Sequence, residues 1–91
     1  MYMENLQPFE NWLKAKEYKT ASQYASYVRT IVSILMIPNF DKITSIVILK
    51  KLLNDVQKNR AFAARTPHDK SSHVSAFNTY IDFIDDKNQK K

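Results

Sequence analysis

Glycine is absent from this chain, and so is cysteine. Ordinary usage of about 7% would place roughly six glycines in a chain of this size. Without them there is no Gly-rich phosphate loop and no dinucleotide-binding fingerprint. The easiest residue for tight hairpin turns is also missing, which favours helices joined by turns built on Pro, Asn and Asp. Without cysteine there is no disulfide, no Cys-ligated zinc and no thiol nucleophile, as expected of a cytoplasmic protein. Long hydrophobic runs are lacking too. The densest stretch, Ile31 to Ile37, is interrupted by Ser33 and closed by Pro38, well short of the roughly 18 apolar residues that cross a bilayer. No membrane partner is therefore expected. The N-terminus carries Glu4 and no basic segment ahead of an apolar one, so no signal peptide is expected either.

What is present fits one domain. The chain has 91 residues, 44% of them hydrophobic, and a net charge of +5. The excess is concentrated in the middle: residues 41–70 hold seven basic and three acidic groups, against four and three in residues 1–40 and three and three in residues 71–91. A basic balance of this kind favours a polyanionic partner.

Apolar spacing predicts an all-α fold of four helices, or five if a short one is added. Pro8 suits a first helical turn, and Leu6, Phe9, Trp12 and Leu13 share one face of a helix ending near Tyr18. Thr20, with Gln23 three residues on, has capping-box spacing for a second helix. Ala21, Tyr24, Ala25, Val28, Ile31, Val32 and Leu35 recur along it at three- and four-residue intervals, and Pro38 is expected to end it. Thr44 or Ser45 is placed to cap a third helix reaching about Asn59, with Ile46, Leu49, Leu53 and Val56 inward. Arg60 to Lys70 reads as polar and irregular, anchored at Phe62-Ala63-Ala64, with Pro67 blocking a continuous helix. Asp69 or Ser71 can cap a last helix to about Asp86, with Val74, Phe77, Tyr80, Ile81 and Ile84 inward. Residues 1–86 then form the domain, and residues 87–91 a basic tail or the start of a linker.

Two segments carry a family likeness. One is Thr20-x-x-x-Tyr24-x-x-x-Val28-Arg29. The other is Ser75-Ala76-Phe77-Asn78-Thr79-Tyr80-Ile81-Asp82-Phe83-Ile84. With the aromatic first helix, over about residues 5–85, the chain resembles the core-binding, SAM-like domain of tyrosine recombinases and phage integrases. It also resembles the related N-terminal helical modules of bacterial restriction and HNH-type nucleases. The resemblance implies a compact helical bundle that holds duplex DNA in recombination, integration or restriction of mobile DNA. Thr20 matches the residue opening the second helix near the phosphate backbone, Tyr24 a mainly core aromatic, and Arg29 a basic position on the second helix. His73 and Asn78 stand where family members often carry arginine on the last helix. Arginine reads guanine bidentately, so positional binding is expected rather than strong sequence reading. The catalytic Arg, His and Tyr set of a recombinase is not here. The resemblance therefore implies a binding module without enzymatic activity of its own, either parted from a catalytic half that is a separate, larger domain or a stand-alone relative.

Two clusters are the candidate contacts. The first is Lys14, Lys16, Lys19, Thr20 and Gln23 at the turn before the second helix, where exposed N–H groups favour anions. Its plainer alternative is a capped helix beside a solvated charged face. The second is Arg65, His68, Lys70, Ser71, Ser72 and His73, expected as a polar loop entering the last helix, whose hydroxyls and imidazoles donate to phosphates or base edges. Arg29, Asn78, Lys50 and Lys51 are further contacts. The five-residue spacing of His68 and His73 is wrong for a shared metal on one helix face, so no metal or other cofactor is expected. Asp82, Asp85 and Asp86 read as a solvated acidic helix end, and Asp69, Ser71 and His73 lack the setting of a hydrolase. Stacking on single strands by Tyr2, Tyr18, Tyr24, Tyr27 or Tyr80 is a minor alternative. The competing class is a small protein-interaction module that docks on a larger partner, such as a phage- or plasmid-encoded regulator. Exposed Tyr18, Tyr27, Ile34 and Ile48 would mark it.

Overall fold

Five helices and one 3-10 turn make up the computed structural model, which describes residues 6–37 and 39–89. In order these are α1 (Leu6–Ala15), α2 (Ala21–Leu35), the 3-10 turn (Phe40–Lys42), α3 (Ile46–Gln57), α4 (Arg60–Ala63) and α5 (Pro67–Gln89). The fold is all-α, with no strand among the described residues. No helix among them is long and apolar enough to cross a membrane.

The stripes predicted from spacing are the ones that bury. Leu6, Phe9 and Leu13 of α1, Ala21, Ala25, Val28, Ile31 and Val32 of α2, and Leu49, Leu53 and Val56 of α3 meet in one core. α5 supplies His73, Ala76, Phe77, Tyr80, Ile81, Phe83 and Ile84. It packs mainly on α2 and α3, while α1 lies on α2 and touches α5. Phe40 and Phe62 plug the core from the 3-10 turn and from α4. The radius of gyration, 12.5 Å, is close to the roughly 12 Å expected of a folded unit of this length.

The helix ends depart from the sequence expectation, and the missing glycine explains why. α1 stops at Ala15. Glu17 then turns left-handed (φ 65°), and the Glu17 and Tyr18 amides donate to the Lys14 and Leu13 carbonyls, both at 3.0 Å. α2 ends in the same way. Met36 has φ 54°, and the Met36 and Ile37 amides return to Ser33 and Val32 at 3.2 and 3.4 Å. Both are Schellman closures, normally made by glycine. Pro38, expected to end α2, lies outside the described residues, and α2 already stops before it. A left-handed conformation costs an L-residue roughly 1–2 kcal/mol. Glu17→Gly and Met36→Gly are therefore each expected to stabilise the fold by roughly 0.5–1 kcal/mol after the unfolded-chain entropy of glycine is subtracted. Thermal unfolding should show midpoints raised by a few degrees.

The Thr20–Gln23 capping box does not form. Thr20 holds the N-cap position of α2 with φ −108° and ψ 29° and makes no side-chain cap bond, because a hydroxyl reaches the N2 and N3 amides from extended backbone. Ser45, at ψ 119°, does cap α3 by accepting from the Ile48 amide. Asn59 caps α4 by accepting from Ala61 and Phe62, so part of the segment expected to be irregular is helical. As expected of Pro67, no helix runs through this segment: α4 ends at Ala63 and α5 begins at Pro67. The proline itself opens α5, where a missing N–H is harmless, and the Thr66 hydroxyl accepts from the Asp69 amide at 3.2 Å. The cap is thus Thr66, not Asp69 or Ser71. At its far end α5 passes Asp86 and runs to Gln89, and the Asn88 amide group donates to the Thr44 carbonyl at 2.9 Å. Lys90 and Lys91 of the expected tail lie outside the described residues, as does Tyr2.

Candidate functional site

Parts of the two candidate clusters meet in one place. Thr20, Gln23, Tyr24 and Tyr27 on α2 face His68, Ser71, Ser72 and Ser75 on α5 across an open cleft of about 470 Å³. Spacing aligns each wall: residues 20, 23, 24 and 27 share one helical face, and residues 68, 71, 72 and 75 share another. The Tyr24 and Ser75 hydroxyls lie 3.3 Å apart across the cleft. Among the described residues the lining carries six hydroxyls, one carboxamide and one imidazole, and no carboxylate. The failed capping box contributes here, since Thr20 and Gln23 are left exposed on the cleft wall instead of folding back on the helix end. Ser72 donates to the His68 carbonyl at 3.1 Å, which leaves its oxygen as an acceptor toward the cleft.

His73 is not a surface contact. It is 3% exposed. Its Nδ1 lies 2.8 Å from the Asp69 carbonyl, and its ring packs on Tyr27 at 4.4 Å and on Phe62 at 6.0 Å. The reason is position. His73 sits four residues before Phe77 and seven before Tyr80, on the buried stripe of α5, so its imidazole anchors α5 against α2 and α4 and is withdrawn from any ligand.

The predicted cations divide into two groups. Lys14 is tied to Glu10 at 3.0 Å. Lys16 rests over the Trp12 ring at 4.9 Å and lines a different hollow, with Asp82, Asp85 and Asp86. Arg65 is held by Asp69 at 2.7 Å. Lys19 and Arg29 are exposed and make no ion pair among the described residues. Half-buried Lys70 lines a neighbouring hollow that shares Ser71 with the main cleft. Asn78 is exposed on α5 but does not line the cleft, and neither do Lys50 and Lys51. His68, expected in the second cluster, lines it, and so do Tyr24, Tyr27 and Ser75, which stand outside both clusters. Their signal was the four-residue spacing of Ser71 to Ser75 and of Thr20 to Tyr24. Among the described residues no three His, Cys, Asp or Glu side chains gather as a metal-ligating group.

The first turn of α5 is held electrostatically. The Arg65 guanidinium bonded to Asp69 keeps that carboxyl below its ordinary value, with His73, Arg65 and His68 adding positive potential and partial desolvation opposing. A depressed carboxylate stabilises the fold above its unfolded-state pKa of about 4, and that stabilisation is lost as pH falls through its lower folded value. Asp69→Asn is expected to leave the acid limb of a stability-versus-pH curve shallower than in the unmodified protein. Urea unfolding at neutral and acidic pH provides the measurement, and identical limbs would contradict the assignment.

No family model matches the chain, and no curated protein or solved structure matches it. The site therefore has to be read from its own chemistry.

Proposed function

We propose that this domain binds double-stranded DNA through the phosphate backbone, with the α2–α5 cleft as its contact surface and without catalysis of its own. The observation that carries the reading is the convergence of Thr20 and Gln23 with Ser71 in one hydroxyl-lined cleft, with no carboxylate among its described lining residues. Neutral donors of this kind position a duplex by its phosphates. Lys19 and Lys70 each stand one residue before a lining residue, and Arg29 lies further along α2. Lys14, Lys16 and Arg65 contribute less, because each already has an electrostatic partner. In this reading the domain serves recombination, integration or restriction of mobile DNA alongside a separate catalytic domain.

The test is fluorescence anisotropy with a random-sequence duplex of about 20 base pairs at several salt concentrations. Three phosphates neutralised by Lys19, Arg29 and Lys70 give a log–log salt slope near −2.7, a loss of roughly 40-fold between 50 and 200 mM salt. Absence of binding at low salt would overturn the proposal. A specific observation favours the second reading, docking on a protein: Val47 and Ile48 in the first turn of α3 are 78% and 48% exposed. Tyr27 and Ile34, expected to join such a patch, instead pack against the core.

A further inference from the structure

Two of the four large hydrophobic side chains exposed among the described residues stand side by side at the start of α3: Val47 and Ile48. The fold gains nothing from them there. On a helix surface a β-branched side chain is a poorer helix former than alanine, and an exposed one wins no packing in return. The face that α3 buries is the other one, with Leu49, Leu53 and Val56. Four-residue steps set two rows on the free side: Val47, Lys51 and Asp55 in one, Ile48 and Leu52 in the next. Lys50, Lys51 and Asp55 are exposed, and Leu52 is half-buried. We propose that this face of α3 docks an acidic amphipathic helix of a partner protein. Its aliphatic side chains settle on Val47 and Ile48, and its carboxylates face Lys50 and Lys51.

Three observations fit that occupant. The first is charge. Lys51 and Asp55 have the spacing at which helix charges pair, yet among the described residues neither they nor Lys50 form an ion pair. All three are therefore open to an opposite charge brought by a partner. The second is mixed sign. An anionic bilayer or a nucleic acid presents negative charge alone, which Asp55 repels, whereas a protein helix can set carboxylates over the lysines and a cation over Asp55. The third is rigidity. The Ser45 hydroxyl caps α3 by accepting from the Ile48 amide at 3.4 Å. Just ahead of it, the Asn88 side chain of α5 donates to the Thr44 carbonyl at 2.9 Å. The turn that carries the patch is thus fixed beforehand, and Val and Ile keep essentially one χ1 rotamer in a helix, so contact costs little order. Docking here rests on the protein-docking reading of Val47 and Ile48 and not on DNA binding, because no residue of α3 lines the α2–α5 cleft.

The probe is a blocked amphipathic peptide of leucine and glutamate, roughly 20 residues long so that it is helical alone, titrated into the isotopically labelled protein. The amides of Val47, Ile48, Lys50 and Lys51 should shift saturably, while those of Thr20 and Ser71 stay still. Val47→Ser combined with Ile48→Ser should weaken binding roughly tenfold, the worth of two aliphatic side chains partly buried on contact. A second probe with lysine in place of glutamate should leave α3 unshifted. Lys50→Glu combined with Lys51→Glu should reverse that choice, since opposed charges admit one partner and reject the other. All four positions are exposed, so both variants should keep the helical circular dichroism of the unmodified protein. Shifts on α3 with the lysine probe alone, or equal binding of both probes, would keep protein docking and overturn the acidic partner. No α3 shift with either probe would overturn both. Shifts that grow with protein concentration alone would make the occupant a second copy, and equal shifts with phosphatidylserine vesicles would make it a membrane surface; each would overturn the proposal. A duplex titrated into the same sample should move α2 and α5 amides instead, so a failure of the DNA reading is seen separately.

Discussion

Tyr80→Ala is expected to cost about 3–5 kcal/mol of folding stability, the range for truncating a large buried aromatic. Tyr80 is fully buried. Its ring meets Phe9 of α1 and Phe40 of the 3-10 turn, each at 5.2 Å, and Phe83 and Phe77 within α5 at 5.8 and 6.2 Å. One side chain therefore joins three parts of the chain, and its loss opens a cavity walled by rings that cannot easily collapse. A small domain holds only about 5–15 kcal/mol in total, so the variant should be largely unfolded at moderate urea. Tyr24 is the useful contrast. Its position on the α2 stripe predicts a core aromatic, yet it is half-buried, with its ring 5.9 Å from Tyr18 and its hydroxyl turned to Ser75. Tyr24→Ala should cost only about 1 kcal/mol, an ordinary effect for a partly exposed site. Urea denaturation with unchanged m-values measures both. A loss below about 1 kcal/mol for Tyr80→Ala would contradict the packing described here.

These two tyrosines show how far the sequence could be read. Three- and four-residue spacing was enough to place the stripes of α2, α3 and α5, because burial and helical period impose the same pattern. It could not rank Tyr24 against Tyr80, since depth within a stripe depends on which neighbour covers it. Helix ends were harder still. Thr20 has a good cap residue's chemistry but a backbone that cannot use it, and the closures at Glu17 and Met36 carry no glycine to mark them. Pro67 signals that no helix runs through its segment but not that it opens α5 itself, and the single turn of α4 is too short to show a period. The two halves of the cleft were each visible as polar clusters, but their meeting depends on how α2 packs on α5. Two corrections were nonetheless available from spacing alone. His73 stands on the stripe of Phe77 and Tyr80. Lys14 and Arg65 each have an acid four residues away, a distance that pairs charges on a helix.

That division of the cations leads to the sharpest functional prediction. Lys19→Glu combined with Lys70→Glu is expected to weaken DNA binding roughly 1,000-fold at low salt, since each reversal removes a phosphate attraction and adds a repulsion, each of about 1 kcal/mol at contact. The salt slope should fall in magnitude by about 1.8, or 0.9 per lost contact. The loss should be similar for every duplex sequence, because phosphates carry no sequence information. The fold should survive. Lys19 is exposed, and Lys70 lies in the first turns of α5, where a negative charge suits the helix dipole. Lys14→Ala serves as the control, since that ammonium is tied to Glu10, and its removal should change affinity less than about twofold. If Lys14→Ala proved as damaging as the double reversal, binding would be tracking net charge and not the cleft. If the double reversal left affinity intact while helicity was retained, the duplex would not lie along α2 and α5, and exposed Val47 and Ile48 would become the surface to pursue.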